Sequence, residues 1–124
     1  MVGHHKELRV WQQSVDFSVD LYQATQSFPD SEKFGLRSQL RRAAVSIPSN
    51  IAEGAARGSA ADYAHFLTIS VASASEVDTQ LEISRRLGFL TDPAAQKLAA
   101  QVNEISRMLL KLRSSIRKRV QNKK

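Results

Sequence analysis

Residues 34–54 read FGLRSQLRRAAVSIPSNIAEG, and their apolar side chains recur every three or four residues. This spacing is typical of an α-helix that buries one face. The stripe continues across Pro48, although proline removes a backbone donor and crowds the carbonyl four residues earlier. We therefore predict one helix over about 32–56, kinked at Pro48. Its buried stripe is predicted to be Leu36, Leu40, Ala43, Ala44, Ile47, Ile51 and Ala55.

Upstream of this stretch, helical spacing predicts a first helix over about 7–26. The helix should end before Pro29, because the residue preceding a proline is pushed out of the α region. Its predicted inward stripe is Leu8, Trp11, Val15, Val19 and Tyr22.

Downstream, a third helix is predicted over about 60–87 and a fourth over about 93–120. Ser59 followed by Asp62 resembles a capping box, and Gly88 suits the left-handed position after a helix. Asp92 before Pro93 is the expected order of an N-cap and a first helical residue. The inward stripe of the third helix is predicted to be Tyr63, Phe66, Leu67, Val71, Ala74, Val77, Leu81 and Leu87. That of the fourth is Leu98, Val102, Ile105, Leu109, Leu112, Ile116 and Val120.

Long amphipathic helices with short connections favour an all-α, antiparallel up-down-up-down four-helix bundle. We expect residues 1–124 to form one such domain. The chain has no cysteine, which excludes a disulfide framework and thiolate catalysis. It has neither an apolar run of about 20 residues nor a signal peptide, so we expect a cytoplasmic protein without a membrane partner.

The net charge of +6 is concentrated near the C-terminus, where eight basic and no acidic residues follow from Arg107 onward. Such side chains can bind phosphates without reading base sequence. We expect Arg107, Lys111, Arg113 and Arg117 to form one row of the fourth helix, and the later cations to thicken its end. Three alternatives compete: opposing the helix dipole, covering apolar surface with long stems, and maintaining solubility. The candidate nucleic-acid-binding residues are Arg107, Lys111, Arg113, Arg117, Lys118 and Arg119.

The second helix has a further face of small or apolar residues, predicted to lie opposite its core stripe. A monomer should expose charged residues there, so this face predicts contact with another subunit. The alternative is that alanines only raise helix propensity. The predicted oligomer interface is Val45, Pro48, Ala52 and Ala56.

A polar seam runs between these two faces of the second helix. We interpret it as a hydrogen-bonded network that sets register between helices or subunits and includes an Arg42–Glu53 pair. The alternative is a ligand or RNA site built from Arg42, Asn50 and Glu53. The seam consists of Gln39, Arg42, Ser46, Asn50 and Glu53.

No set of residues predicts catalysis, a metal or a cofactor. A di-iron bundle needs a Glu-x-x-His on each of two helices, whereas this chain has a single Asp62-x-x-His65. A capping carboxylate and a surface histidine explain that pair better than metal ligation. Neither a Ser-His-Asp grouping nor a phosphate-binding glycine loop is present. We therefore expect a non-enzymatic protein.

Four segments resemble one bacterial family: 8–12 (LRVWQ), 34–54, 80–83 (QLEI) and 87–90 (LGFL). The family is that of the S23, or 23S ribosomal RNA intervening-sequence, proteins, which also includes the accessory variability protein of diversity-generating retroelements. The resemblance implies a bundle that assembles into a ring-like homopentamer. The retroelement accessory members bind nucleic acid and partner a reverse transcriptase, so RNA or DNA and a reverse transcriptase are implied partners.

Taken with this resemblance, the sequence predicts an oligomeric accessory protein that binds RNA or DNA backbone. The alternative is an adaptor or scaffold ring that contacts a protein, for example a reverse transcriptase, and binds no nucleic acid directly.

Overall fold

The computed structural model describes residues 4–122, which contain four α-helices and no strand. The helices are α1 (Arg9–Ala24), α2 (Leu36–Ala56), α3 (Ala60–Arg86) and α4 (Asp92–Asn122). Two short 3₁₀ helices, His4–Glu7 and Asp30–Glu32, precede α1 and α2. The predicted all-α, four-helix class is confirmed.

The start of α2 lies later than predicted because the chain first makes a 3₁₀ turn. The backbone N–H of Leu36 donates to Glu32 Oε1 at 2.9 Å, so a carboxylate from that turn satisfies a free donor of the first helical turn. The connection to α2 is therefore a compact turn, and the α-helix begins at Leu36 instead of about residue 32.

The ends of α3 follow the expected capping chemistry. Ser59 Oγ accepts from the backbone N–H of Asp62 at 3.1 Å, which is the serine half of a capping box. After the helix, Gly88 has φ +79° and the N–H of Phe89 donates to the carbonyl of Ser84 at 2.9 Å. This is the arrangement that a left-handed glycine makes possible.

The N-cap prediction for α4 is wrong by one residue. The helix begins at Asp92 itself, and the N–H of Ala94 donates to Thr91 Oγ1 at 3.3 Å. A threonine hydroxyl can cap a helix as aspartate does, and Asp92 Oδ1 instead lies 3.5 Å from Arg85 Nη1.

Neighbouring helices in the chain pack side by side, and α1 also packs against α4 to close the bundle. Gln39 contacts Gln80 near the start of α2, and Ser46 contacts Ser73 further along it. Because residue numbers rise along α2 as they fall along α3, these two helices are antiparallel. The structure thereby brings the end of α2 to the start of α3, and residues before α1 and near the end of α4 lie at the same end of the bundle. The kink at Pro48 stays a prediction.

The predicted inward stripe of α1 is correct for Leu8 and Trp11, which pack against the core, and wrong for its last two residues. Val19 is 52 % exposed and Tyr22 is 42 % exposed. The hydroxyls of Ser14 and Ser18 donate to carbonyls of their own helix at 2.9 Å, which satisfies them inside the core. These serines make the truly buried face look polar in the sequence. The buried residues of α1 are Val10, Ser14, Phe17, Ser18 and Leu21.

Leu87 was also predicted to point inward and is 59 % exposed. It follows the last residue of α3, where the chain turns away from the helix axis. Phe89 and Leu90 come next, and the Phe89 ring lies 5.4 Å from that of Phe28. These residues, instead of Leu87, cover that end of the core.

Candidate nucleic-acid interface at the basic end of the bundle

The predicted row of Arg107, Lys111, Arg113 and Arg117 does not form on α4. Arg107, Lys111 and Lys118 are exposed and share the outer face of the helix, since they are spaced by four and seven residues. Arg113 lies about 240° around the helix from Arg107. The predicted row joining Arg107 and Lys111 to the later arginines is therefore wrong, and the charges spread around the helix end.

Arg113 and Arg117 lie on the side of α4 that faces α3. Arg113 Nη1 donates to Thr68 Oγ1 at 3.3 Å. Arg117 is exposed and lines a shallow groove between α3 and α4 beside His65 and Thr68. Two arginines thus lie along the seam between these helices.

Arg119 instead lies at the end of the bundle. Arg119 lines a cleft of about 660 Å³, which we call the end cleft. The cleft lies where the starts of α1 and α3 meet the ends of α2 and α4. It is lined by His5, Glu7, Leu8, Gly54, Ala55, Gly58, Ser59, Ala60, Tyr63, Leu112, Ile116 and Arg119.

None of the six cations forms an ion pair with any residue of 4–122. The opposite end of the bundle differs, because there Arg85 and Arg86 both bond Glu82 at 2.8 Å. These hydrogen bonds lower the pKa of Glu82 from its ordinary 4.5 to about 2. Arg85 and Arg86 are therefore compensated by a carboxylate, whereas the six cations of α4 are not.

Two further cations at the basic end were not predicted from the sequence. Lys6 lies in the 3₁₀ helix between two residues of the end cleft, and Arg57 follows α2. Arg57 pairs with Glu53 at 3.1 Å, and its guanidinium carbon lies 4.8 Å from the centre of the Phe66 ring. The predicted antiparallel order of the helices could have identified these two cations, because it places the end of α2 and the start of α1 beside the end of α4.

The side chain of Tyr63 is half-buried in the end cleft. Burial raises its pKa above the ordinary value of 10, and the positive charge of Arg119 partly opposes that rise. The hydroxyl is therefore protonated at neutral pH and can donate a hydrogen bond.

Two of the four residues predicted for the oligomer interface are exposed, and the interface itself stays a prediction. Val45 is 40 % exposed and Ala56 is exposed, while Ala52 is half-buried. Pro48 is buried within the bundle, so its assignment to an outer face is wrong. It follows Ala44 by four residues and precedes Ile51 by three, and these spacings keep it on the core side.

The exposed apolar surface continues from α2 onto α1. Arg41 joins the two helices, since it donates to Thr25 Oγ1 at 2.9 Å and to the carbonyl of Tyr22 at 3.0 Å. About one turn further along each antiparallel helix, Val19 comes level with Val45. We call the residues Val19, Tyr22, Val45, Ala52 and Ala56 the α1–α2 face.

Part of the predicted polar seam connects α2 to α3. Ser46 Oγ lies 2.9 Å from Ser73 Oγ, and Asn50 Nδ2 donates to Ser46 Oγ at 2.9 Å. Gln80 Nε2 donates to Gln39 Oε1 at 3.4 Å. These contacts favour the structural interpretation for Gln39, Ser46 and Asn50.

The Arg42–Glu53 pair predicted in that seam does not form within the chain. Eleven residues separate the two, or about 16 Å along a helix. Glu53 instead pairs with Arg57, one turn away, and Arg42 is exposed with no ion pair to any residue of 4–122.

No three histidine or carboxylate side chains within residues 4–122 are grouped closely enough to hold a metal ion. Asp62 lies in the first turn of α3, and the ring of His65 lies edge-on to Phe66 at 5.3 Å. Across the same residues, no helix combines the length and the apolar character needed to cross a bilayer.

Four packed α-helices, without a strand among residues 4–122, define the general class of this protein as an all-α four-helix bundle. Within that class, the chain belongs to the 23S rRNA-intervening sequence protein family, whose model matches residues 6–111. It is similar to the crystal structure of a protein of unknown function from the S23 ribosomal protein family of Bacteroides thetaiotaomicron VPI-5482. The two share 25 % identity at a TM-score of 0.75, over 83 % of this chain and 96 % of the other. No curated protein matches the chain.

The family match ends at Lys111, before four of the six cations on α4. The family therefore defines the bundle, whereas the most basic part of α4 lies beyond the matched residues.

Proposed function

We propose that this protein is a non-enzymatic, oligomeric accessory protein that binds the phosphate backbone of RNA or DNA through its basic end. The observation that carries the proposal is the absence of ion pairs at all six α4 cations among residues 4–122. Cations without an ion pair attract a polyanion without first breaking an internal ion pair.

The structural alternatives account for only part of the charge. A helix dipole acts within the last turn, so it does not explain Arg107 and Lys111, which lie about 11 or more residues before the end of α4. Covering apolar surface suits Arg113, which lies against α3, but not the fully outward Lys118. Phosphate binding uses all of these positions.

Assembly would increase the effect of each protomer's charge. The α1–α2 face exposes apolar side chains beside small ones, which suits close approach of a second copy. We include a homo-oligomer in the proposal, with five copies as the number that the family resemblance implies. Several basic ends on one particle would bind a long strand with higher avidity than one.

The test is a salt titration of oligonucleotide binding. The double variant Arg117→Gln, Lys118→Gln removes two exposed basic-end charges, and Arg42→Gln, Lys97→Gln removes two exposed charges elsewhere. Each phosphate that the basic-end variant no longer neutralises should reduce the slope of log affinity against log salt by about 0.7 to 0.9. The control variant should keep the wild-type slope. Equal slopes for both variants would reject the assigned surface.

A second candidate is a scaffold ring that contacts a protein partner, for example a reverse transcriptase, without binding nucleic acid itself. The observation that favours it is the α1–α2 face, because exposed valines and tyrosine are typical of interaction surfaces. Affinity purification after nuclease treatment separates the two functions. A protein that stays bound supports the scaffold, and release of every bound protein counts against it.

A further inference from the structure

The end cleft is lined by apolar and aromatic side chains, which binding of a nucleic-acid phosphate backbone alone does not require. Its volume of about 660 Å³ is within the range of clefts that hold small organic ligands, roughly 300 to 1,000 Å³. Leu8, Leu112 and Ile116 supply apolar lining, and Tyr63 supplies an aromatic ring. Phosphates need cations and N–H donors, whereas apolar and aromatic walls suit a base.

The Tyr63 ring is held in place by close packing against α2. A Cβ atom added to Gly54 would lie 3.1 Å from Cδ1 of that ring, so the missing side chain leaves room for the ring beside the helix. An aromatic group that is already ordered loses little conformational entropy when a ligand binds. The Tyr63 ring in the cleft wall is therefore already ordered before a ligand binds.

Arg119 brings a cation to the same cleft. It is exposed and has no ion pair with any residue of 4–122, and its charge is near enough to act on the Tyr63 hydroxyl. The cleft thus combines a cation for a phosphate with an aromatic ring and apolar walls for a base.

We infer that the end cleft receives one unpaired base of a single-stranded nucleic acid, with the base beside Tyr63 and the adjoining phosphate on Arg119. The inference rests on the proposed function and adds a preference for single strands. A base in a duplex is stacked and paired, so it enters a cleft only at the cost of leaving its stack. A duplex would retain contacts with the outer cations only.

The test compares an intact single strand with a strand of the same length whose residues are abasic. Both carry the same phosphates, so fluorescence anisotropy isolates the effect of the bases. The wild-type protein should bind the intact strand about 5- to 150-fold more tightly, the range for one stacked base. Tyr63→Leu should lose that preference and keep its affinity for the abasic strand, whereas Tyr63→Phe should retain the preference.

Because Tyr63 also packs against α2, a second variant leaves it intact. Ala55→Leu places a larger side chain in the cleft wall and should likewise abolish the preference for the intact strand. Ala100→Leu is the matched control, since it makes the same substitution at an exposed site of α4 outside the cleft. Circular dichroism checks that each variant is folded.

Equal binding of intact and abasic strands by the wild-type protein would overturn the inference and leave backbone binding standing. A preference that survives in folded Ala55→Leu would also overturn it. If neither strand binds at all, the proposed function itself fails, and the inference fails with it.

Discussion

The close approach of α2 and α3 at Gly54 leads to a prediction whose size follows from the geometry. A Cβ atom at this position would lie 2.9 Å from Phe66 Cβ, 3.1 Å from Tyr63 Cδ1 and 3.2 Å from the Tyr63 carbonyl oxygen. Carbon atoms in contact prefer about 3.5 to 4.0 Å. Phe66 Cβ is attached directly to the backbone, so rotation of its side chain does not relieve the clash. The variant Gly54→Ala must therefore move α3 or strain both helices.

Two opposing effects determine the stability of Gly54→Ala. Alanine favours a helix over glycine by about 1 kcal/mol, and overpacking of a core costs about 1 to 3 kcal/mol. Three short contacts at once place the cost in the upper part of its range. We expect a net decrease of about 1 to 2 kcal/mol in the free energy of unfolding. For a domain of this size, that corresponds to a fall in Tm of about 4 to 8 °C.

Circular dichroism during heating and urea denaturation measures this change, with all proteins at one concentration because assembly also affects stability. Ser49→Ala is the control, since Ser49 lies on the exposed side of the same helix. It should gain up to about 0.5 kcal/mol from helix propensity alone. If Gly54→Ala were as stable as the wild type or more so, α3 would be free to yield, and the tight packing between α2 and α3 would be refuted.

Three further predictions concern other parts of the bundle. Because the pKa of Glu82 is lowered, its contribution to stability is present above about pH 4.5 and is lost as pH falls toward 2. In thermal melts over a pH series, Glu82→Gln should lack the fall in Tm that the protonation of Glu82 causes in the wild type. Ser70 Oγ donates to the carbonyl of Ile47 at 3.0 Å, and Ser70→Ala should cost about 1 kcal/mol in urea denaturation; an unchanged midpoint would contradict the bond. Val45→Asp with Val19→Asp should shift sedimentation toward the monomer without loss of helix, whereas an unchanged oligomer would place the interface elsewhere.

Much of the fold could be predicted from local sequence. The apolar spacing of α2 and α4 identified Leu40, Ile47, Val102 and Ile105, which are buried. The Ser59 cap was also correct, since it depends on groups only three residues apart. Helix formation and capping rest on short-range hydrogen bonds, so a single segment contains the information that determines them.

The basic end could be located from sequence, but its arrangement could not. The charge of α4 was visible as a run of cations, whereas the cleft beside Arg119 combines residues from α2, α3 and α4 with residues that precede α1. Tyr63, which lines this cleft, was predicted to belong to the buried stripe of the third helix. Only the antiparallel packing decides that this side chain lines an open cleft next to a cation.

The sequence by itself determined four amphipathic helices, their approximate ends and a cationic C-terminal segment, because these properties depend on neighbours within a few residues. Tertiary structure alone decided which side of α1 is buried. The stripe through Val19 and Tyr22 is more apolar than the face through Ser14 and Ser18, yet the second is buried. The reason is physical: a serine bonded to its own helix enters a core at little cost and lets helices approach closely. Which stripe meets a neighbour is therefore settled by the packing of the whole bundle.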